Sequence, residues 1–306
     1  MTIKQWAQDL ANIVNPNNIK INESLKTYTM TKLGGKADVF VLPETEEEAT
    51  AIVKYAYDHN VPILMLGNGS NMVVRDGGVR GIVMCFQRLD EIRIDGTQIY
   101  AQSGALIKDV SKLAAENSLT GFEFACGIPG SVGGAMAMNA GAYGGEIKDI
   151  IIDSTVLTKE GERIVLSKDE LELAYRQSII AKKGYFVLSS RFELAKGNQQ
   201  EIDEKIADLT FKRESKQPLE YPSAGSVFKR PPGYFAGKLI QDSGLQGKGV
   251  GGAEVSTKHA GFIINKGNAT ATDYIETINM VQRVVKEKFD VDLELEVKIV
   301  GEDLTK

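Results

Sequence analysis

Two α/β regions meeting near residue 200 are the architecture this sequence predicts, on three observations. Short β-like runs alternate with amphipathic helical stretches along most of the chain. A polar, helix-permissive segment, NQQEIDEKIADLTFKRESKQ at 198–217, reads as the boundary. The 306 residues are ample for a core in each of two domains. One stretch organises the rest: GIPGSVGGAMAMNAGAYGG at 127–145 is rich in glycine, seven of nineteen residues, against 31 in the whole chain. Glycine admits positive φ and close approach of a ligand, at an entropic cost inside regular structure. The run suits a backbone cradle for a phosphorylated cofactor. It suits equally a glycine-rich connection or tight helix packing.

Taken in order, Ile3, Trp6, Ala7, Leu10, Ile13 and Val14 have helical spacing over 3–14. A turn at Gly34-Gly35 leads to a strand through Val41, stopped at Pro43. Thr45 and Glu48 form a capping box ahead of the helix EEEATAIVKYAYDHN, where His59 is a C-terminal helix residue. PILML at 62–66 is a buried-type strand delivering the loop GNGSN at 67–71, which lacks the third glycine of a dinucleotide fingerprint. Gly247, Gly249 and Gly252 have that spacing, but no convincing strand precedes them, so they read as a turn. Short strands fill 73–100, and a helix follows over 105–117 with Leu106, Val110, Leu113 and Ala114 on one face. Strands are expected at 150–158, 163–166 and 185–194, a loop at 218–237, the strand AGFIIN, a helix at 271–289, and a closing period-2 strand, VDLELEVKIV.

Composition narrows the class. A net charge of −5 argues against bulk nucleic-acid binding and leaves small anionic ligands to local basic residues. Two cysteines, Cys85 and Cys126, fit reduced thiols in a cytoplasmic protein. Two histidines, His59 and His259, supply no Cys/His metal cluster. MTIKQWAQDL has no secretory apolar segment, and no uncharged apolar run is long enough for a bilayer. A cytoplasmic enzyme or binding protein, without nucleic-acid or membrane partners, is expected.

GNGSN after a strand, GIPGSVGGAMAMNAGAYG, YRQSII, PSAGSVFKRPPGYFAGKLIQDSGLQGKGVGGAEVSTKHAGFIIN and LELEVKIVG occur in that order. Jointly they resemble the bacterial UDP-N-acetylenolpyruvoylglucosamine reductases, flavoenzymes that make UDP-N-acetylmuramate for peptidoglycan, over about residues 29–301. The resemblance implies an α+β fold: an FAD-binding domain of the vanillyl-alcohol oxidase type (PCMH-type), made of two α/β subdomains, plus a C-terminal α+β substrate-binding domain. It places the FAD region at 1–200, with its core about 30–198, and the substrate domain at 201–306. The last strand could pack back on the FAD region. The compact segment between Arg176 and Ser226 resembles the shorter type II form, which lacks an insertion carrying a lid tyrosine.

The family's chemistry implies non-covalent FAD and NADPH as hydride donor. NADPH reduces FAD and leaves, and the enolpyruvyl nucleotide sugar then takes hydride from flavin N5 at its vinyl terminus. With no local Lys/Arg cluster, the pyrophosphate donors must be backbone and hydroxyls. The candidates are Gly67, Asn68, Gly69, Ser70 and Asn71 in one loop. In the other they are Gly127, Ile128, Pro129, Gly130, Ser131, Gly133, Gly134, Asn139 and Ala140. One helix N-terminus contributes about 0.3–1 kcal/mol per exposed charge, up to ~2 when partly buried, so two convergent loops fit tight binding better than one helix end.

For catalysis the resemblance implies three residues. Ser226, by itself a turn serine, matches the proton donor; its weak acidity suffices only against a carbanion-like enediolate. Arg176, by itself a surface arginine, matches the group that stabilises the developing carboxylate charge, which its planar fork suits. Periodicity puts Glu294 and Glu296 on one polar face and cannot separate them; the family motif selects Glu296, hydrogen-bonding the enediolate in protonated form. Tyr143, Tyr175, Arg213, Lys216 and Lys229 are substrate-binding candidates, and His259 reads as structural. Arg230 stands where many relatives carry asparagine. Two alternatives remain: another FAD-dependent 2-hydroxy-acid oxidoreductase of this fold, or a non-enzymatic nucleotide-sugar-binding protein.

Overall fold

The structure, a computed structural model, describes residues 1–304. The chain divides into two compact units: Met1–Ile21, Val39–Asn68 and Gly81–Arg213 form the first, and Asn22–Asp38, Gly69–Arg80 and Glu214–Lys306 the second. The division falls inside the helix Gln199–Lys216, whose residues up to Arg213 belong to the first unit. It also splits the GNGSN loop between Asn68 and Gly69.

The first unit contains two apolar cores. In one, the helix Glu46–Asp58 buries Ala49, Ile52, Val53 and Ala56 against Val39, Val41, Ile82 and Met84. Thr45 caps this helix by accepting from Glu48 N at 3.1 Å, whereas the Glu48 carboxylate accepts from Glu44 N, one residue before the cap. Strand Ile63–Leu66 runs parallel to Ile82–Cys85 and ends where the first glycine loop begins. The other core lies on an antiparallel five-stranded sheet, ordered Arg163–Ser167, Ile151–Leu157, Phe186–Glu193, Gln98–Gln102, Ile92–Asp95. The helices Ile107–Glu116 and Val132–Ala137 bury Ile107, Val110, Val132 and Met136 in it. The N-terminal helix is only Ile3–Leu10, continued by turns that bond Ile13 N and Val14 N to Leu10 O.

The second unit holds an antiparallel sheet, ordered Ser223–Ser226, Phe262–Asn265, Ala253–Val255, Gly249–Val250. Helix Ala271–Phe289 covers it with Tyr274, Ile278, Val281 and Val285, as its 3.6-residue spacing predicts. The hydroxyl of fully buried Tyr274 donates to Ile263 O at 2.9 Å. No helix follows Gly247, Gly249 and Gly252; they belong to turns and the Gly249–Val250 hairpin.

Two expectations need correction here. The 218–237 loop contains a strand, Ser223–Ser226. The closing ten residues are not one strand: regular pairing is confined to Lys298–Val300, parallel to Met72–Val74, while Leu295 makes an isolated bridge to Phe228. The interruption has a physical cause. Glu296 N and Val297 N both donate to Val227 O, at 2.8 and 3.3 Å, a bulge that ends the two-residue alternation. Among the described residues no helix is long and apolar enough to cross a membrane, and no acidic, His or Cys cluster could hold a metal ion.

Candidate functional site

In the first unit two glycine-bearing loops meet. Asn68 Nδ2 donates to Pro129 O at 2.6 Å, and a Cβ on Gly67 would lie 2.3 Å from Ser131 Oγ. Ser131 caps the helix Val132–Ala137, accepting from Gly134 N at 3.4 Å. Not all of the expected amides are free. Val132 N donates to Ala105 O and Gly133 N to Ser103 O, at 2.8 and 2.9 Å. Gly133 is glycine for packing: a Cβ there would come within 2.0 Å of Ser103 Oγ. Ile128 N likewise donates to Ala125 O, and Ala140 N to Ala135 O.

The amides of Gly130 and Ser131 remain. Both residues are buried, and neither N–H donates to an acceptor among the described residues. A buried amide without a partner is costly, and an anion satisfies it. The first unit therefore fits a phosphorylated cofactor, through fewer donors than a fully open cradle.

A second cluster forms around Arg176. Ala174 and Gln177 exchange backbone hydrogen bonds at 3.0 and 3.2 Å, closing a tight turn with Tyr175 and Arg176 at its tip. Arg176 has φ 55° and Tyr143 φ 54°, a region non-glycine residues enter at a cost. Arg176 Nη2 donates to Gly141 O at 3.2 Å, and its guanidinium carbon lies 5.2 Å from the Tyr175 ring centroid. Tyr143 and Tyr175 are exposed.

Asn139 is fully buried, and its side chain has an internal employment. Nδ2 donates to Glu146 Oε2 and Ala174 O at 2.6 and 3.1 Å, and Oδ1 accepts from Lys148 N at 2.9 Å. The amide expected to contact cofactor is thus spent on the protein. Arg213 lies over the backbone of Gly127, with Cδ 2.5 Å from where a Cβ would stand. Burial lowers its pKa, which Tyr143 and Cys126 partly offset, and among the described residues no carboxylate pairs with it.

In the second unit Gly69 has φ 58°, and a Cβ would press on Tyr28 O at 2.2 Å. Ser70 is half-buried, and Asn71 Nδ2 donates to Glu296 O at 3.0 Å. Ser226 is exposed at the end of its strand, opposite Phe262, beside Gly225 at φ 73°. The bulge separates the two acids that periodicity left equivalent: Glu294 is 75% exposed and pairs with Lys229 at 3.2 Å, whereas Glu296 is half-buried. Lys216 is exposed at the end of its helix. Arg230 lies 3.9 Å from the Phe235 ring centroid and donates to Tyr234 O. Burial lowers the pKa of His259, whose Nδ1 accepts from Gly261 N at 3.1 Å, which favours the neutral ring with its proton on Nε2.

Comparison with known proteins settles the family. A relative from Exiguobacterium sibiricum, a UDP-N-acetylenolpyruvoylglucosamine reductase, is 60% identical over 285 residues, 93% of this chain and 94% of its own. This chain belongs to the UDP-N-acetylenolpyruvoylglucosamine reductase family. The Geobacillus kaustophilus reductase is 59% identical over 300 residues, 98% of this chain and 99% of its own. The C-terminal domain model of the reductase family matches residues 217–300, and a model described as an FAD binding domain matches 37–167. The reductase from Thermus caldophilus has a solved structure similar to this one, with TM-score 0.79 and 34% identity, covering 92% of this chain and 98% of its own. A glucose dehydrogenase, Phl p 4.0202, shares the fold alone, with TM-score 0.52 and 16% identity over 64% of this chain. The protein is a reductase with an FAD-binding domain, and the α+β architecture with a PCMH-type FAD region holds.

Sequence patterns did not reveal the inward roles of Asn139 and Asn71, because an asparagine that bonds inward from a loop has no periodic signature. Ser178 was missed as well: its hydroxyl, fully buried, donates to Ala137 O at 2.7 Å and accepts from Ala181 N. Its signal was available, since a serine directly before IIAKK is a helix N-cap pattern.

Proposed function

We propose that this reductase uses NADPH and non-covalently bound FAD to reduce the enolpyruvyl group of UDP-N-acetyl-3-O-(1-carboxyvinyl)-glucosamine to UDP-N-acetylmuramate, in peptidoglycan synthesis. The observation that supports the cofactor most is the pair of amides at the buried residues Gly130 and Ser131, which have no acceptor among the described residues, in the loop that Asn68 Nδ2 bonds through Pro129 O. Bound flavin supplies the chemistry the side chains lack, accepting and returning a hydride. Gly67, Asn68, Gly127, Gly130 and Ser131 would hold its anionic part in the first unit, and Gly69, Ser70 and Asn71 keep their assignment to the cofactor.

The chain's own task is charge and proton management. Hydride arriving at the vinyl terminus of the substrate leaves negative charge on its carboxylate as an enediolate. Arg176 is assigned to that charge; its backbone strain fits a residue selected for placement, not conformational ease. A preorganised donor of this kind is worth about 2.7–4 kcal/mol in the transition state. Ser226 is assigned to deliver the proton to the adjacent carbon, and Glu296 to hydrogen-bond the enediolate. Arg213, a half-buried cation without a carboxylate partner among the described residues, is suited to the substrate's anionic groups, with Tyr143, Tyr175, Lys216 and Lys229 as further contacts.

The test is direct. Purified protein should be yellow, release its flavin on denaturation, bleach anaerobically with NADPH and recover its colour with the enolpyruvyl nucleotide sugar. A colourless protein that binds only the nucleotide sugar would support a binding protein. A yellow one reoxidised by a 2-oxo acid instead would support a 2-hydroxy-acid oxidoreductase.

A further inference from the structure

We infer that Asn139 is a positioning residue for Arg176, a buried amide that fixes both the turn carrying the arginine and the carbonyl that receives it. The inference rests on the assignment of Arg176 to the substrate. The turn Ala174–Gln177 closes through two backbone hydrogen bonds and holds Arg176 at φ 55°. A non-glycine residue held at positive φ persists where its surroundings over-determine it.

Asn139 supplies that constraint. One proton of its amide goes to Ala174 O, the first carbonyl of the turn, and the other to Glu146 Oε2. Its oxygen accepts from Lys148 N, so the whole amide is used. Glu146 pairs with Gly141 across a two-residue ladder, and Gly141 O is the acceptor for Arg176 Nη2. A single side chain therefore ties the origin of the arginine to its landing point. Asn139 itself has φ 45°, which asparagine tolerates better than most residues. On the far side of the turn, Ser178 Oγ donates to Ala137 O at 2.7 Å. Residues 137 and 139, at the end of the helix Val132–Ala137, thus grip the turn from both flanks.

Replacing Asn139 with glycine keeps the positive φ available and removes all three side-chain bonds. In FAD-loaded Asn139→Gly, reoxidation of reduced enzyme by the enolpyruvyl substrate should slow about 10- to 100-fold, the scale of a misplaced catalytic group. Bleaching by NADPH should proceed as in the parent. Placed on Arg176→Ala, the same change should add no further loss, because its effect passes through the arginine. Trypsin should cleave after Arg176 faster than in the parent, a readout independent of activity. Ser178→Ala loosens the turn from its other flank and should show the same pattern more weakly, which keeps the question open to test should Asn139→Gly not fold. Unchanged reoxidation, a loss that adds to that of Arg176→Ala, or unaltered cleavage would each overturn the positioning role. Should Arg176→Ala itself reoxidise at the parent rate, the assignment of Arg176 is what fails, and faster cleavage in Asn139→Gly would still report the clamp.

Discussion

In the first unit the assigned residues around Arg176 sit on backbone that buried side chains must hold, whereas in the second Ser226 ends a paired strand and Glu296 lies at a bulge held by backbone hydrogen bonds. Arg176, Tyr143 and Asn139 all have φ between 45° and 55°, and the turn bearing Arg176 is held by Asn139 and Ser178. Ser226 lies opposite Phe262 in a ladder, Val227 N donates to Gly261 O, and Glu296 N donates to Val227 O. The difference teaches where each part is vulnerable. The first unit should fail through changes at residues that never meet substrate. The second should tolerate most neighbouring changes and fail through the functional side chains themselves.

The sharpest contrast in the second unit is between two glutamates two residues apart. Glu296→Gln should lower the substrate half-reaction by about 10²–10³-fold, the cost of losing a transition-state hydrogen-bond partner. Glu294→Gln should change stability by no more than about 1 kcal/mol, because its pair with Lys229 is solvent-exposed. The reverse ranking in stopped-flow reoxidation would transfer the role to Glu294.

Gly133→Ala probes the close packing of the first unit. The added methyl meets buried Ser103 Oγ at 2.0 Å and Cβ at 3.2 Å, and should destabilise by about 1–3 kcal/mol. Ser103→Gly in the same chain should recover much of the loss in denaturant unfolding. A neutral Gly133→Ala would show that this helix does not depend on the close approach.

The smallest effect concerns His259. Burial holds its pKa below the ordinary 6.5, so the neutral ring is favoured in the folded state. Its stabilising contribution is fully present above pH 6.5 and is lost as pH falls from there through the folded pKa, because the unfolded chain takes up the proton first. His259→Gln should therefore show a shallower decline in Tm between pH 6.5 and 5 than the parent. An identical slope would remove His259 from the account.

Much of the fold was legible because amphipathic periodicity is strong where one face is buried. The helix Ala271–Phe289 has its expected limits, and the three long strands of the five-stranded sheet were legible to within a residue or two. Periodicity failed at VDLELEVKIV, where the polar alternation is present but two amides share Val227 O and break the register. It also could not assign individual glycines. Gly133 and Gly67 admit close packing against Ser103 and Ser131, which composition cannot distinguish from openness to a ligand. The positions of Arg176, Ser226 and Glu296 were legible only through the family's motifs, since each taken alone is an ordinary polar residue. What holds Arg176 was invisible, because the bonds from Asn139 connect segments 35 residues apart.

The central claim, that Ser226 supplies the proton in the substrate half-reaction, is tested most directly by separating the half-reactions of Ser226→Ala. The account predicts flavin bleaching by NADPH at close to the parent rate, and reoxidation by the enolpyruvyl substrate slowed about 10²–10⁴-fold. Equal loss in both halves, or parent-like reoxidation, would contradict it.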